Sequence, residues 1–294
     1  MTTKNSAGTC FRNALKQEQP LQIAGTINAY SALLAKESGF NAIYLSGAGV
    51  ANASYGLPDL GYTSLDNVAE DVRRITGICP LPLLVDADTA WNDPALTVKT
   101  LIDAGAAAIH IEDQVDLKRC GHRPGKNLVS ITEMQDRLQA AKSGRTDPGF
   151  AIMARTDAHA VEGFDAAIKR AQCYVDAGAD MIFAEAFSSL QEYKTFTAEM
   201  TVPVLANITE FGKTPLFSVD ELQSAGIAMV LYPLSAFRAM SAAALNVYQT
   251  IRQEGTQKEL IENMQTRKEL YQVLDYEKHE KQIDNELENK RGKP

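Results

Sequence analysis

The sequence predicts a (β/α)8 TIM-type barrel with additional C-terminal helices, on three observations. Short apolar runs alternate with longer segments of helical period, eight times over. Several helical segments end in glycine just before the next run, at Gly39, Gly105, Gly178 and Gly226. Glycine tolerates the left-handed backbone that closes a helix, so this punctuation has a physical cause. Nearly the same phrase, Asp103-Ala-Gly-Ala106 and Asp176-Ala-Gly-Ala179, stands at equivalent points of two units. The competing class, an open doubly wound sheet, carries a Gly-rich fingerprint after its first strand, and Ala29–Leu34 shows none.

In chain order the predicted strands are Leu21–Ala29, Ala42–Gly47, Leu83–Asp88, Ala107–Glu112, Phe150–Asp157, Met181–Glu185, Val204–Thr209 and Ala228–Pro233, each a short apolar run. Between them Leu65–Ile75, Pro94–Ala104, Thr132–Lys142, Asp165–Ala177 and Val219–Ala225 have helical spacing. Residues 1–254 are read as the barrel. The character changes over residues 255–294, which hold 8 Lys/Arg and 9 Asp/Glu with Leu260, Met264, Leu270, Val273 and Leu274 at helical spacing. That reads as a helical extension packing on the barrel or a neighbouring subunit, with a solvated tail after about Lys281.

With 37 Asp+Glu against 29 Lys+Arg, the 294-residue chain carries a formal charge of −8. That argues against nucleic acid and anionic membrane as partners, which call for a basic face. An anionic ligand must instead meet a local cluster of cations. Cys10, Cys79, Cys120 and Cys173 form no CxxC pair, so neither a disulfide framework nor a zinc site is indicated. The N-terminus has no apolar h-region, and the longest apolar stretch, Leu222–Phe237, is broken by Gly226 and Pro233. The sequons at Asn52 and Asn207 are then chance matches, and the location expected is the cytoplasm. Gly121–Lys126 lacks the spacing and the Ser/Thr of a P-loop.

Side chains alternate across a strand, so residues i and i+2 face the same way. Tyr44/Ser46, Asp86/Asp88, His110/Glu112, Arg155/Asp157, Phe183/Glu185 and Asn207/Thr209 all fall near C-terminal strand ends, where barrel enzymes build their sites. So many polar pairs on one rim would be a costly way to build a core. Asp86 and Asp88 present two carboxylates to one point with no nearby His or Cys. Hard oxygen ligands in small number suit Mg²⁺, with Glu112 on the adjacent strand reaching it through a water. His110 is open to two readings, a satisfied core histidine or a site residue. His159 and His279 read as ordinary surface or loop residues, and Cys173 as a small core residue. In Lys118-Arg-Cys-Gly-His122, the cations Lys118, Arg119 and His122 surround Cys120 and favour a reactive thiol. Gly121, Pro124 and Gly125 make that segment a candidate closing loop. Arg155 near a strand end calls for an anion.

Taken together, Lys118-Arg-Cys-Gly-His122, His110-Ile-Glu-Asp-Gln114 and Val85-Asp-Ala-Asp88 resemble the isocitrate lyase / phosphoenolpyruvate mutase superfamily, and within it the branch that cleaves 2-methylisocitrate. The likeness extends through Tyr55-Gly-Leu-Pro-Asp-Leu60, Ile152-Met-Ala-Arg-Thr-Asp-Ala158, Leu205-Ala-Asn-Ile-Thr-Glu-Phe-Gly212, Leu231-Tyr-Pro-Leu-Ser-Ala-Phe-Arg-Ala-Met240 and Gln253-Glu-Gly-Thr-Gln257. The resemblance implies a Mg²⁺-dependent carbon–carbon lyase, with Mn²⁺ as an alternative ion, splitting a tricarboxylate into pyruvate and succinate in propionate breakdown. It also implies a homotetramer with the eighth helix exchanged between subunits. By motif, Asp86 and Asp88 anchor the metal, with Glu112 in its water shell. Ser46, Gly47 and Ala48 hold the pyruvate-forming end. Arg155, Glu185, Asn207, Ile208, Thr209, Arg238 and Arg267 complete recognition, and Cys120 with Gly121 closes over the substrate.

On this reading Cys120 is the acid that protonates the new carbon centre, flanked by Lys118 and His122, while Tyr44 or Asp59 serves as base or relay. One segment departs from the family pattern. Where relatives carry a longer glycine-rich loop after the second aspartate, this chain has Thr89-Ala-Trp-Asn-Asp-Pro94. Isocitrate lyase activity, another superfamily lyase or phosphonate enzyme, and a non-catalytic dicarboxylate-binding barrel are the competing readings. Cys120 argues against the phosphonate class.

Overall fold

A computed structural model describes residues 5–116 and 125–291 of the chain. It opens with α1 (Ala7–Gln17), followed by β1 (Leu21–Gly25), α2 (Ala29–Glu37), β2 (Ala42–Leu45) and α3 (Gly47–Gly49), which runs into a π-helical turn at Val50–Ser54. Then come α4 (Leu65–Thr76), β3 (Leu83–Asp86), α5 (Pro94–Asp103), β4 (Ala108–Glu112), α6 (Ile131–Ser143), β5 (Ala151–Thr156) and α7 (Phe164–Asp176). The order continues with β6 (Met181–Ala184), α8 (Leu190–Ala198), β7 (Val204–Asn207), α9 (Val219–Ser224), β8 (Met229–Tyr232), α10 (Ser235–Glu254), α11 (Arg267–Val273) and α12 (Tyr276–Arg291). The eight strands are parallel and close in sequence order, β8 pairing with β1 through Leu21↔Met229 and Ile23↔Leu231. This is the barrel the alternation predicted.

Alternation along each strand sorts the core into two layers. Ile23, Tyr44, Leu84, Ala108, Met153, Phe183, Leu205 and Leu231 point inward and pack together with Phe11 and Ala14 of α1. Ile43, Val85, Ile109, Ile152, Ile182 and Val230 point outward and meet Val72, Leu101, Leu138, Tyr174 and Phe196 of the surrounding helices. Burying each such side chain contributes about 1.5–3 kcal/mol. α1 seals the N-terminal end of the barrel. Its Arg12 Nε donates to Gly149 O at 2.7 Å, and a Cβ on Gly8 would meet Phe150 N at 2.2 Å.

The helix-ending glycines behave as their sequence positions required. Gly105 (φ 97) and Gly226 (φ 79) are left-handed, and a Cβ on either would meet a threonine Oγ1, of Thr76 or Thr197, at 2.7 Å. The strands stop two to four residues short of several predicted C-terminal ends. At β1 the strand ends at Gly25, which lies so close to the Pro233 carbonyl that a Cβ would sit 1.8 Å from it, and Asn28 then caps α2. Elsewhere the last polar residue of the pair steps off into the following loop, as Asp88, Asp157 and Thr209 do.

The chain divides into two compact units, Met1–Phe237 and Arg238–Pro294. In the second, α10 and α11 bury no residue. α12 continues to Arg291, so the stretch after Lys281 is helical, and its described side chains through Asn289 are exposed. Helix persists there because Asp275–His279 hydrogen bonds start a new turn and no glycine or proline interrupts the stretch up to Arg291. Among the described residues no helix is long and apolar enough to cross a membrane, and Cys10, Cys79 and Cys173 are free thiols.

Candidate active site

Two residues beyond the inward layer, the same alternation brings Ser46, Asp86, His110, Arg155, Glu185 and Asn207 to the C-terminal mouth of the barrel, and Glu112 follows His110. Every one of them is buried. Strand register fixes who meets whom: Asp86 pairs with His110, and Glu112 with Arg155.

Asp86 and Asp88 converge on Gly47. The Gly47 N–H donates to Asp86 Oδ2 at 3.0 Å, and the Asp88 N–H to Asp86 Oδ1 at 3.2 Å. A Cβ on Gly47 would lie 3.0 Å from Asp88 Oδ1 and 3.1 Å from Asp86 Oδ2, so carboxylate oxygens from two residues surround one small space that glycine leaves open. Asp88 itself is left-handed (φ 49), a conformation that aspartate tolerates better than most residues.

His110 is wholly buried and belongs to this cluster. Its Nε2 lies 2.9 Å from Tyr44 Oη and 3.5 Å from Asp86 Oδ1. The ring stacks on Tyr44 at 5.8 Å and meets Phe183 edge-on at 5.0 Å. Of the two sequence readings, the histidine is therefore both packed in the core and wired to the site.

On the far side, Arg155 donates to Asp157 from Nε (3.0 Å) and Nη2 (3.3 Å). It also stands 3.5 Å from Glu112 and 3.9 Å from Glu185, with its guanidinium over the Phe183 ring. Burial opposes the charge, but Asp157, Glu185 and Glu112 outweigh it and raise the guanidinium pKa well above its ordinary value. Asn207 Nδ2 donates to Glu185 at 3.3 Å. Its Oδ1 is buried without a hydrogen-bond partner among the described residues, which leaves an acceptor for a ligand donor.

Asp157 has a second cation that sequence reasoning missed. Lys126 Nζ, buried, sits 2.6 Å from Asp157 Oδ1. It lies on the return strand of a small hairpin in which Gln114 bridges Leu128 and Val129 N–H bonds Asp113 O. No spacing rule links Lys126 to Asp157; the hairpin alone brings them together. Beneath it, Asp113 accepts from Thr156 Oγ1 (2.8 Å), Asp157 N (2.9 Å) and Tyr174 Oη (2.9 Å). Burial, with the Asp157 charge second, raises the Asp113 pKa. Arg170 completes this layer at 3.7 Å.

The remaining expected residues fall as follows. Ser46 caps α3, Ala48 lies within it, and Asp59 is half-buried on the loop before α4. Ile208 and Thr209 are buried directly after β7. Arg238 and Arg267 belong to the second unit. Lys118, Cys120, Gly121 and His122 lie outside the described residues. His159, read as an ordinary surface or loop residue, lies on the turn after β5 but is half-buried, bonding Ala186 O at 3.1 Å and Glu192 at 3.0 Å and packing on Phe164 and Phe187. The aromatic pocket after β6, which has no counterpart in local sequence, draws it in.

The donor set fits a hard divalent cation. Asp86, Asp88, Glu112, Asp157 and Glu185 outnumber Arg155 and Lys126 among the described residues of the mouth, so the site as folded calls for further positive charge. No group of three or more His, Cys, Asp and Glu converges among the described residues. Two carboxylates and an open position are nonetheless the set Mg²⁺ uses, since it keeps several waters and shares its sphere with substrate oxygens.

The chain is similar to several known proteins in sequence and fold. The phosphoenolpyruvate phosphomutase family model matches residues 11–252. A 2-methylisocitrate lyase of Escherichia coli (strain K12) is 61% identical over 285 residues, covering 96% of each chain. One of Salmonella typhimurium is 60% identical over 292 residues, covering 98% of this chain and 99% of its own. Among solved structures, a 2,3-dimethylmalate lyase described as a PEP mutase/isocitrate lyase superfamily member superposes with TM-score 0.88 at 31% identity, covering 97% of this chain and 96% of its own. A phosphonopyruvate hydrolase in complex with oxalate and Mg²⁺ gives 0.81 at 27% identity, covering 94% and 97%. A family match of that length, carried on a closed eight-stranded barrel, makes the chain a member of the phosphoenolpyruvate mutase / isocitrate lyase superfamily.

Proposed function

We propose that the chain cleaves 2-methylisocitrate to pyruvate and succinate as a magnesium-dependent carbon–carbon lyase. The observation that carries this reading is the 61% identity, over 96% of both chains, to a relative named for that reaction. The paired carboxylates around Gly47 supply a seat for the metal. Asp86 and Asp88 would hold Mg²⁺, or Mn²⁺ in its place, with Glu112 reaching it through water. When bound, the ion supplies Lewis-acid stabilisation of charge developing on oxygen.

The reaction removes the hydroxyl proton, passes the electrons of the carbon–carbon bond to the succinate carbon, and returns a proton there. It needs no oxidant. Tyr44 accepts and relays the first proton, a role its hydrogen bond to His110 supports, with Asp59 the second candidate. Ser46, Gly47 and Ala48, at the end of β2, hold the pyruvate-forming end. Arg155, Asn207 and Thr209, beside Ile208, recognise the remaining carboxylates, Glu185 holds Arg155 and Asn207 in place, and Arg238 and Arg267 supply further cations. Cys120, in the cationic field of Lys118 and His122 and beside Gly121, protonates the succinate carbon.

The substrate assignment is tested by kcat/KM for 2-methylisocitrate against isocitrate. The two differ by one methyl group, worth about 1–3 kcal/mol in an apolar pocket, so a preference of about 10- to 200-fold for 2-methylisocitrate is expected. A preference for isocitrate overturns the assignment.

The same reading places the enzyme in the methylcitrate cycle of propionate breakdown, in the cytoplasm, as a homotetramer. What supports self-association is α10, which leaves Met240, Leu245, Tyr248 and Ile251 exposed along its length. A solution mass of four chains by light scattering is expected, and a monomer at micromolar concentration would contradict it.

A further inference from the structure

The linker between β3 and α5 has seven residues, 87–93, and no glycine, yet three of its residues are left-handed: Asp88 (φ 49), Ala90 (φ 65) and Trp91 (φ 50). Residues with side chains rarely adopt that region, and they stay there only where the surroundings over-determine it. Most of the restraints are local. Ala90 N–H bonds Ala87 O at 2.7 Å, Thr97 Oγ1 donates to Ala90 O at 3.0 Å, and Asp93 caps Leu96 N at 2.9 Å. Two backbone bonds tie the start of the linker to β4, from Ala87 N–H to His110 O at 3.1 Å and from Glu112 N–H to Asp88 O at 2.9 Å, and leave the turn at Thr89–Asn92 to be held from elsewhere.

Two bonds leave the linker for other loops. Thr89 Oγ1 reaches Asp116 at 3.3 Å, a long bond to a carboxylate that is 68% exposed. The other is made by Trp91, whose indole Nε1 donates to the carbonyl of buried Thr63 at 2.9 Å while its ring packs on the barrel–helix core. Thr63 immediately precedes the cap of α4, a fixed point, and ends the loop that carries Asp59. Asp88, the first left-handed residue, is thus held to β4 through its carbonyl, and the indole is the strong external anchor of the outer half of the strained turn, at Ala90 and Trp91.

We propose that Trp91 is a positioning residue for the divalent cation, its bond to Thr63 holding the left-handed turn that brings the Asp88 carboxylate beside Asp86 at Gly47. The proposal rests on the reading in which those two aspartates hold Mg²⁺. It does not follow from the family likeness, because it concerns the segment in which this chain departs from that pattern.

The test is calorimetric titration of Mg²⁺ into the full chain and its variants, with no turnover required. Trp91→Phe keeps the ring and loses the donor. One hydrogen bond is worth about a fivefold change in an equilibrium constant, so Mg²⁺ affinity is expected to fall by up to about fivefold, with the metal-free melting temperature lowered by no more than a few degrees. Adding Ala90→Gly, which accepts φ 65 without steric cost, is expected to recover part of that loss. Trp91→Phe with wild-type Mg²⁺ affinity overturns the proposal, as does a double variant no tighter than the single one. Trp91 is the only tryptophan in the chain, so the unmodified protein gives an independent reading. Its emission is expected to shift on Mg²⁺ binding with the calorimetric midpoint, and an emission that ignores saturating Mg²⁺ overturns the proposal even if the variants fail to fold. A wild-type protein that binds no Mg²⁺ removes the metal reading and this inference with it. Equal binding by wild type and Trp91→Phe removes only the inference.

Discussion

Replacing Gly47 with alanine tests the metal seat with a single methyl group. Gly47 has no positive φ, so the backbone accepts alanine, and its N–H can still reach Asp86. The new Cβ would lie 3.0 Å from Asp88 Oδ1 and 3.1 Å from Asp86 Oδ2, where ordinary contact begins at 3.4 Å. Both carboxylates must retreat by about 0.3–0.4 Å, beyond the roughly 0.2 Å tolerance of metal–ligand distances and against the strict geometry of Mg²⁺. The expected cost is at least about tenfold in Mg²⁺ affinity. Thermal melts at fixed Mg²⁺ read this directly. At about 100 times the wild-type dissociation constant, binding stabilises by about 2.7 kcal/mol, and a tenfold weaker site by about 1.4. At about 2–4 °C per kcal/mol, the Mg²⁺-induced rise in Tm should fall by about half, with metal-free Tm within a few degrees of wild type. An undiminished rise in Gly47→Ala would refute the claim that the cation sits between Asp86 and Asp88.

Three further outcomes are expected. Cys120→Ser should retain substrate binding and lose about 100-fold or more in kcat, and a wild-type kcat would rule Cys120 out as the acid. Tyr44→Phe removes the 2.9 Å bond to His110 and should lower kcat about 100-fold or more at little changed KM, whereas an unchanged kcat would exclude Tyr44 from the proton path. Glu162, paired with Arg170 at 2.6 Å, is held below the ordinary carboxylate pKa by that side-chain hydrogen bond. A depressed folded pKa contributes stability above the unfolded pKa and loses it as pH falls through the folded one. Because Glu162 is 39% exposed, the gain is below about 1 kcal/mol. Glu162→Gln should thus be slightly less stable than wild type in urea at pH 7 and equal to it in acid, and a gap that widens in acid would contradict the sign.

The barrel was legible because its signals are local and redundant. Apolar runs such as Leu83–Val85 and Ile109–Ile111 bracket helices that end at Gly105, Gly178 and Gly226, and each run became a strand. Much of the site was legible for the same reason, since i and i+2 on known strands put Asp86, Glu112, Arg155, Glu185 and Asn207 on one rim. What escaped depends on contacts across loops. Lys126 meets Asp157 only because the 113–116 and 126–129 segments pair. His159 is drawn in by an aromatic pocket assembled after β6. The turn at Ala90 and Trp91 breaks the rule that left-handed residues are glycines, and its restraint lies 28 residues away at Thr63. The overshoot of predicted strand ends has a related cause: Asp88 and Thr209 keep the alternation pattern after the ladder has stopped.

The most direct test of the account is pyruvate release from 2-methylisocitrate by the purified chain, with Mg²⁺, with excess chelator, and with Mg²⁺ restored. The account predicts stoichiometric pyruvate and succinate with Mg²⁺, none in chelator, and recovery on restoration. Undiminished pyruvate in chelator would contradict the metal assignment at Asp86 and Asp88, and no pyruvate from folded, Mg²⁺-loaded protein would contradict the lyase reading itself.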